Sequence, residues 1–332
     1  MSGTSDVTPS PWHEGELKLQ RAAGVAGRMD GIGRQVLRDY LVEQHRGFYP
    51  RLPFIVLGAV DPQGDAWASL RSGKPGFLHS PDIHTLNVSV PRDADDPAER
   101  GLEDGAAVAL LGIELNTRRR NRLNGILHRD SADGFAVSVG QSYGNCPQYI
   151  QLRRFSFVRE PDVRGSAPPR ETDRLDLQAQ RIIRRADTFF VASYADTPHG
   201  RQVDVSHRGG NSGFVRVGAD GALTIPDFSG NRFFNTLGNL AINPKAGLLF
   251  VDFTNGDLLQ LSGDAELLPD SAGIADFEGA EHLWRFKPRR VVHRPDAVPL
   301  RWDFMEGGWS PSTLMTGDWV EAARRLAART GS

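Results

Sequence analysis

The sequence predicts a β-rich α+β chain built of two tandem small barrels, each closed or partly open, with a few flanking helices. Three observations predict it: short β-branched runs separated by turn signals, few stretches of helical period, and a pattern that occurs twice. From Leu52 the chain reads LPFIVLGAVDPQGDAWASLRSGKPGFLHSPDIHTLNVSV, and from Ala186 ADTFFVASYADTPHGRQVDVSHRGGNSGFVRVGADGALTIPDF. Phe54 matches Phe190 and Gly64 matches Gly200 at an offset of 136. Ser69 matches Ser206, Gly76-Phe77 matches Gly213-Phe214 and Leu86 matches Leu223 at 137; Ala109–Gly125 matches Gly247–Gly263 at 138. A slow drift of this kind is what single-residue loop insertions produce. The period is far too long for a solenoid, so a tandem pair of domains is expected.

Each copy carries about six strand-like runs. In the first they are PFIVLGAV, AWASL, TLNVSV, AAVALLGIEL, RLNGILHR and FAVSVGQSY, punctuated by Asp61-Pro62-Gln63-Gly64, Lys74-Pro75-Gly76 and Asp133-Gly134. The second repeats the scheme with FFVASY, QVDVSH, FVRVG, ALTIPDF, AGLLFVDF, DLLQLSGDAEL and WRFKP. Asp220-Gly221 and Asn255-Gly256 stand where tight hairpins would close. Leu17, Val25, Met29, Ile32, Val36, Tyr40 and Leu41 fall at helical spacing ahead of the first barrel. Further helices are expected at Leu175–Arg185, capped by Thr172 or Asp173, at Asn231–Asn239 and at Asp318–Arg329. The proline- and glycine-rich REPDVRGSAPPR joins the copies. The expected division is an N-terminal helical segment over 1–50, a first barrel over 51–158, a linker over 159–172 and a second barrel with its C-terminal helix over 173–332.

Length and composition agree with two globular domains: 332 residues, 39% hydrophobic. Formal charge is 39 − 41 = −2, which argues against a nucleic-acid partner or an anionic membrane surface. The lone Cys146 excludes an internal disulfide framework and a cysteine-cluster metal site. The polar opening MSGTSDVTPSPWHEGE lacks the apolar centre of a secretory signal, and the longest apolar stretch, Ala106–Ile113, is far short of the ~20 residues that span a bilayer. A cytoplasmic location is the expectation. No HExxH, paired CxxC, phosphate-loop or GxSxG signature occurs, and no metal is expected. Gly31-Ile32-Gly33 lies inside a helical pattern with no strand before it, and His79 and His84 merely flank a turn.

What the residues do offer is a concentration of anion-compatible groups in the second copy. Asp204–Gly210 ends a strand in a polar glycine-rich turn. Pro226–Arg232 then leads into a short helix bearing Asn235, Thr236 and Asn239. Free N–H groups at a helix start and nearby arginines suit a phosphate. A capped helix with a solvated polar face explains the same residues.

DVSHRGGNSGFVRV…LTIPDFSGNRFFNTLGNLAINPKAGLLFVDF (Asp204–Phe253) resembles the pyridoxamine 5′-phosphate oxidase-like family of flavin-binding split barrels, over about Leu175–Glu266. Ser142–Gln151, SYGNCPQYIQ, resembles an NCP-x-YI element of bacterial members. The resemblance implies two tandem split β-barrels forming an internal pseudo-dimer, as a monomer or a homodimer. It also implies FMN held between the barrels by an oxidoreductase acting on an unidentified small molecule, with a separate reductase as one source of electrons. FAD, a deazaflavin or haem are alternative cofactors. Carried over residue by residue, Ser206, Arg208, Asn231, Arg232, Asn235 and Thr236 would hold the ribityl phosphate, and Gln260 would border the flavin. Its repeat partner Arg122, with Asn145 and Gln148, would come from the other barrel. No catalytic side chain is assigned, because the flavin itself carries such chemistry. Pyridoxamine phosphate oxidation itself is not expected, since the ending lacks that enzyme's basic substrate-phosphate motif.

Plainer readings stand beside these. Arg208 could be a surface arginine, Gln260 ordinary strand polarity, and Arg119 and Arg120 are read first as a solvated hairpin tip. Cys146 is read as a packed thiol, and Trp302 and Trp309 as core rather than as covers for a flavin ring. A flavin- or haem-binding carrier without turnover, or a barrel pair with a decayed cleft, are the competing functions. If Arg208 makes a charged hydrogen bond to phosphate, Arg208→Ala should weaken FMN binding by about 1.5–3 kcal/mol. An unchanged dissociation constant would remove Arg208 from the site.

Overall fold

A computed structural model describes residues 10–163, 165, 167–269, 271 and 273–330. The polar opening at 1–9 and linker residues 164 and 166 lie outside the described residues. The first half contains β1 (Phe54–Val60), β2 (Ala66–Ser72), β3 (Leu78–His79), β4 (Thr85–Val88), β5 (Ala107–Glu114), β6 (Arg119–His128) and β7 (Phe135–Gly144). β8 (Arg153–Phe157) and β9 (Arg170–Thr172) follow. The second half contains β10 (Thr188–Thr197), β11 (Gly200–Gly209), β12 (Arg216–Val217), β13 (Leu223–Phe228), β14 (Lys245–Val251), β15 (Leu258–Leu267), β16 (Ala280–Arg294) and β17 (Leu300–Phe304). The helices are α1 (Glu14–Ala22), α2 (Ala26–Val36), α3 (Glu43–Arg46), α4 (Leu177–Arg185), α5 (Asn235–Ile242), α6 (Gly273–Asp276) and α7 (Trp319–Thr330). None of the described helices is long and apolar enough to cross a membrane.

The two large sheets are antiparallel and share one strand order. The first runs β2-β1-β5-β6-β7-β4-β3 and the second β11-β10-β14-β15-β16-β13-β12. Each path is open, with edges at β2 and β3, and at β11 and β12. The registers superimpose as well. β6 and β7 slip by one residue at Asn124/Gly125, and β15 and β16 slip at Ser262/Gly263, the matching position. Both glycines are there because a facing carbonyl comes too close for a side chain. A Cβ on Gly125 would sit 1.9 Å from the Ser138 oxygen, and one on Gly263 2.1 Å from the Lys287 oxygen.

Register also corrects one sequence match. Leu57 lies beside Ser69 and Leu110, while Val191 lies beside Ser206 and Leu248. Phe190 therefore occupies the position of Val56, not of Phe54. The β10–β11 ladder extends to Thr197 and Gly200 around a two-residue turn, whereas β1 and β2 part at Val60 and Ala66. The added residues lie in the strands, where a matching of hairpin glycines does not detect them.

The alternation of strand side chains explains how the halves join. Ile55, Leu57 and Ala59 of β1 enter the core of the first half, while Phe54 and Val56 face the second. Phe189 and Val191 of β10 enter their own core, while Phe190, Ala192 and Tyr194 face the first half. β5 and β14 divide in the same way. These strands read as unbroken apolar runs because both faces are buried. Trp302 belongs to this seam, edge-on to Phe54 and Phe253 at 5.6 and 5.3 Å. Trp309 packs on Phe304.

Smaller elements tie the halves again. β8 from the first half pairs with β17 from the second, and β9, within the expected linker, adds to β16. The N-terminal helical pattern resolves into α1, α2 and α3. The short helix expected from Asn231 begins only at Asn235, because Arg232 and Phe234 have φ of +63° and +61° and interrupt any earlier turn. Alanine at Gly125 or Gly263 should destabilise the protein by about 1–3 kcal/mol, since a backbone carbonyl must move. Urea unfolding of each variant measures it, and wild-type stability would contradict the close approach.

Candidate functional site

One end of the seam opens into a cleft. The first half supplies β6 and the segment after β7; the second supplies β11 and the connection from β13 into α5. Ser206, Arg208, Asn231, Arg232, Asn235, Thr236, Arg122, Asn145 and Gln148 all line it. Gln260 does not. Its Nε2 donates to the Ala68 carbonyl and to Asp96 at 3.1 and 2.9 Å, at the other end of the seam. The reason is the shared strand order: Gln260 and Arg122 hold matching positions in the two sheets, so they serve opposite clefts.

Most of these side chains already bind one another. Arg122 crosses between the halves to pair with Asp204, and it donates to Ser206 Oγ, Tyr143 OH and Asn235 Oδ1 at 2.5, 2.6 and 3.0 Å. Burial works against its charge, but Asp204 and Tyr143 outweigh burial and its pKa is raised. Ser206 and Thr236 both donate to Asp204. Arg208 pairs with Asp227 at 3.0 Å and Arg232 with Glu281 at 2.5 Å. Asn231 accepts from the Phe233 N–H in a local turn and does not cap α5, whose N-cap is Phe234 without a side-chain cap.

Arg120 is the exception. It is not part of a solvated tip: its Nε donates to the Cys146 carbonyl at 2.7 Å, and the side chain lines the cleft. It has no carboxylate partner among the described residues. Burial, then repulsion from Arg122 and Arg208, pulls its pKa down. Arg119 does turn away, lying over the Phe48 ring. Several buried polar atoms around the cleft also lack a hydrogen-bond partner in the protein: Nε of Arg122 and of Arg208, Asn145 Oδ1 and both ring nitrogens of His207. Burial, and then Arg120 and Arg208, holds the His207 pKa well below its usual value, so the ring is neutral. A cleft with an uncompensated cation and two idle guanidinium N–H donors suits an anion, while Asn145 Oδ1 offers an acceptor.

Sequence reasoning missed Tyr143, His207 and Glu16, and for Arg120 it set a solvated tip ahead of an anion-attracting role. Arg120 lies two residues from Arg122 on one strand and so shares its face, and Tyr143 is the cross-strand neighbour of Arg122. Those two signals were present. His207 was hidden because alternation places it opposite Ser206 and Arg208, yet β11 borders the cleft on both faces. Glu16 comes from α1, which lies against α5. Its carboxylate accepts from the His13 N–H at 3.0 Å and from Asn235 Nδ2 at 2.6 Å. Trp12 and Tyr143 meet Phe233 beside it, at ring separations of 4.8 and 5.8 Å.

No family model matches the chain, and no curated protein matches it. Solved structures similar to it include HupZ of Group A Streptococcus, 14% identical over 37% of this chain and 97% of that one, with a TM-score of 0.30. A putative pyridoxamine 5′-phosphate oxidase from Lactobacillus delbrueckii is 13% identical over 32% and 95% of the two chains, at a TM-score of 0.26. HutZ, the heme storage protein of Vibrio cholerae, is 14% identical over 37% and 95%, at 0.26. These are its structural neighbours.

Glu16 supplies a pH test of how α1 docks. Burial first of all pushes its carboxyl up to about 8, against the hydrogen bonds from His13 and Asn235. A group raised in the folded state contributes stability below its unfolded pKa and loses it as pH rises through the folded one. Glu16→Gln should therefore match wild type at pH 4 and exceed it at pH 8.5 by roughly 4 kcal/mol. Urea titrations at the two pH values give the difference, and an equal gap at both would show that Glu16 is already ionised when folded.

Proposed function

We propose that the chain is a split-barrel protein of the pyridoxamine 5′-phosphate oxidase-like kind, a tandem duplication whose halves act as an internal pseudo-dimer. Its cleft takes the phosphate of FMN in an oxidoreductase acting on a small molecule. Arg120 carries this reading. It is the cleft's uncompensated cation, it comes from the opposite half to α5, and an anion beside it would relieve the repulsion from Arg122 and Arg208. Arg120, the free Nε of Arg208 and the amide of Asn145 would hold the phosphate. Ser206 and Asn235 are engaged through Arg122, and their part is to fix that guanidinium. Tyr149 stacks on Phe228 at 5.3 Å and gives the cleft a flat apolar wall. A bound flavin supplies hydride and electron transfer; the chain binds, orients and excludes water.

His207 favours a second reading, a haem carrier without turnover. Its neutral imidazole lines the cleft with both nitrogens idle, and imidazole is an iron ligand. Absorbance separates the two. Protein loaded with FMN should show flavin bands that a reductant bleaches and air restores, and a Soret band on haem addition would favour the carrier. Arg120→Ala should weaken FMN binding roughly 10- to 150-fold, the worth of one charged hydrogen bond. An unchanged dissociation constant, or protein indifferent to FMN, would overturn the flavin reading.

A further inference from the structure

The common strand order gives the cleft a counterpart at the far end of the seam. Ser69 and Arg71 on β2 hold the positions of Ser206 and Arg208 on β11, and Gln260 on β15 holds that of Arg122 on β6. There the resemblance stops. β4 leads into a short helical turn at Pro97–Gly101, as β13 leads into α5, and the residue before that turn is Asp96. Its carboxylate is fully buried and takes hydrogen bonds from Ser69 Oγ, Arg71, Gln260 Nε2 and the Ala98 N–H, with Arg294 3.6 Å away.

Every cation at this end is compensated. Arg71 also pairs with Glu99 at 2.9 Å, and Arg294 with Asp93. Where the open cleft has Arg122, this end has the uncharged Gln260. The interdomain segment borders the approach: Pro161, Val163 and Pro169 wall a hollow shared with Arg71 and Arg294. Burial alone would raise the Asp96 pKa, but Arg71 and Arg294 win and hold it well below the usual carboxylate range. It is a permanent anion. In the open cleft Asp227 takes Arg208 from β13, and the connection into α5 places no carboxylate at the Asp96 position.

We propose that Asp96 stands in for a bound oxyanion, so that this end of the seam is a ligand site closed by the chain's own carboxylate and the molecule keeps a single open cleft. The proposal does not depend on which anion the open cleft takes. Removing the carboxylate should leave a site that inorganic phosphate can fill. Thermal unfolding of wild type, Asp96→Ala and Asp96→Asn, in phosphate and in chloride of equal ionic strength, tests this. Phosphate should raise the midpoint of a variant by roughly 3 °C or more beyond its effect on wild type. Adding Arg71→Met to the variant should erase the excess. A variant that folds only in phosphate supports the proposal. Equal phosphate shifts in variant and wild type, an excess that survives Arg71→Met, or variants that stay unfolded in phosphate would each overturn it. A wild type indifferent to FMN leaves this comparison intact, because phosphate is the probe.

Discussion

The structure depends on strands that are buried on both faces. β1, β5, β10 and β14 each send alternate side chains into their own core and into the seam, so neither half can shed the other without exposing a second apolar surface. Fully burying a residue such as Phe190 or Leu249 stabilises by roughly 1.5–3 kcal/mol, and the seam repeats that many times. The polar groups at its ends gain their positions from this. Arg122 can meet Asp204 in the other half only because the sheets between them are locked in one register. A buried ion pair of that kind is expensive to form, and the surrounding packing makes it tolerable.

Charge then distinguishes the two ends of one seam. At the other end Arg71 and Arg294 each have carboxylate partners, and Asp96 gathers donors from both halves. At the open end Arg120 is left over, and its nearest charged neighbours are also arginines. Such a residue destabilises the empty protein and rewards whatever anion arrives. The two ends share a strand order, and a handful of side chains sets their charge apart.

Much of this was legible in the sequence. The match of Ala109–Gly125 with Gly247–Gly263 located corresponding strands in both sheets, and FIVLGAV was readable as a strand, though not as one buried on both faces. The turn glycines Gly64 and Gly200 located both hairpins, but they hid the lengthening of the second ladder, which runs up to Gly200 itself while the first stops short of Gly64. The polar run TRRRNR looked solvated, because local composition cannot show that β11 lies over it from the other half. DADDPAER gave no sign of its place for the same reason. Asp96 is buried by residues such as Gln260, 164 positions away, and no window of sequence contains both.

The docking of α1 has a consequence for how the molecule assembles. Glu16 bonds to Asn235 across 219 residues, and Gln20 to the Phe233 carbonyl across 213. At about 5–20 residues per second a ribosome needs roughly 10–45 s to make the intervening chain. α1 therefore waits, with its contact surface unmet, until α5 has been synthesised. α5 itself precedes β14, β15 and β16, so the brace beside the open cleft has both its partners before the second sheet has all its strands.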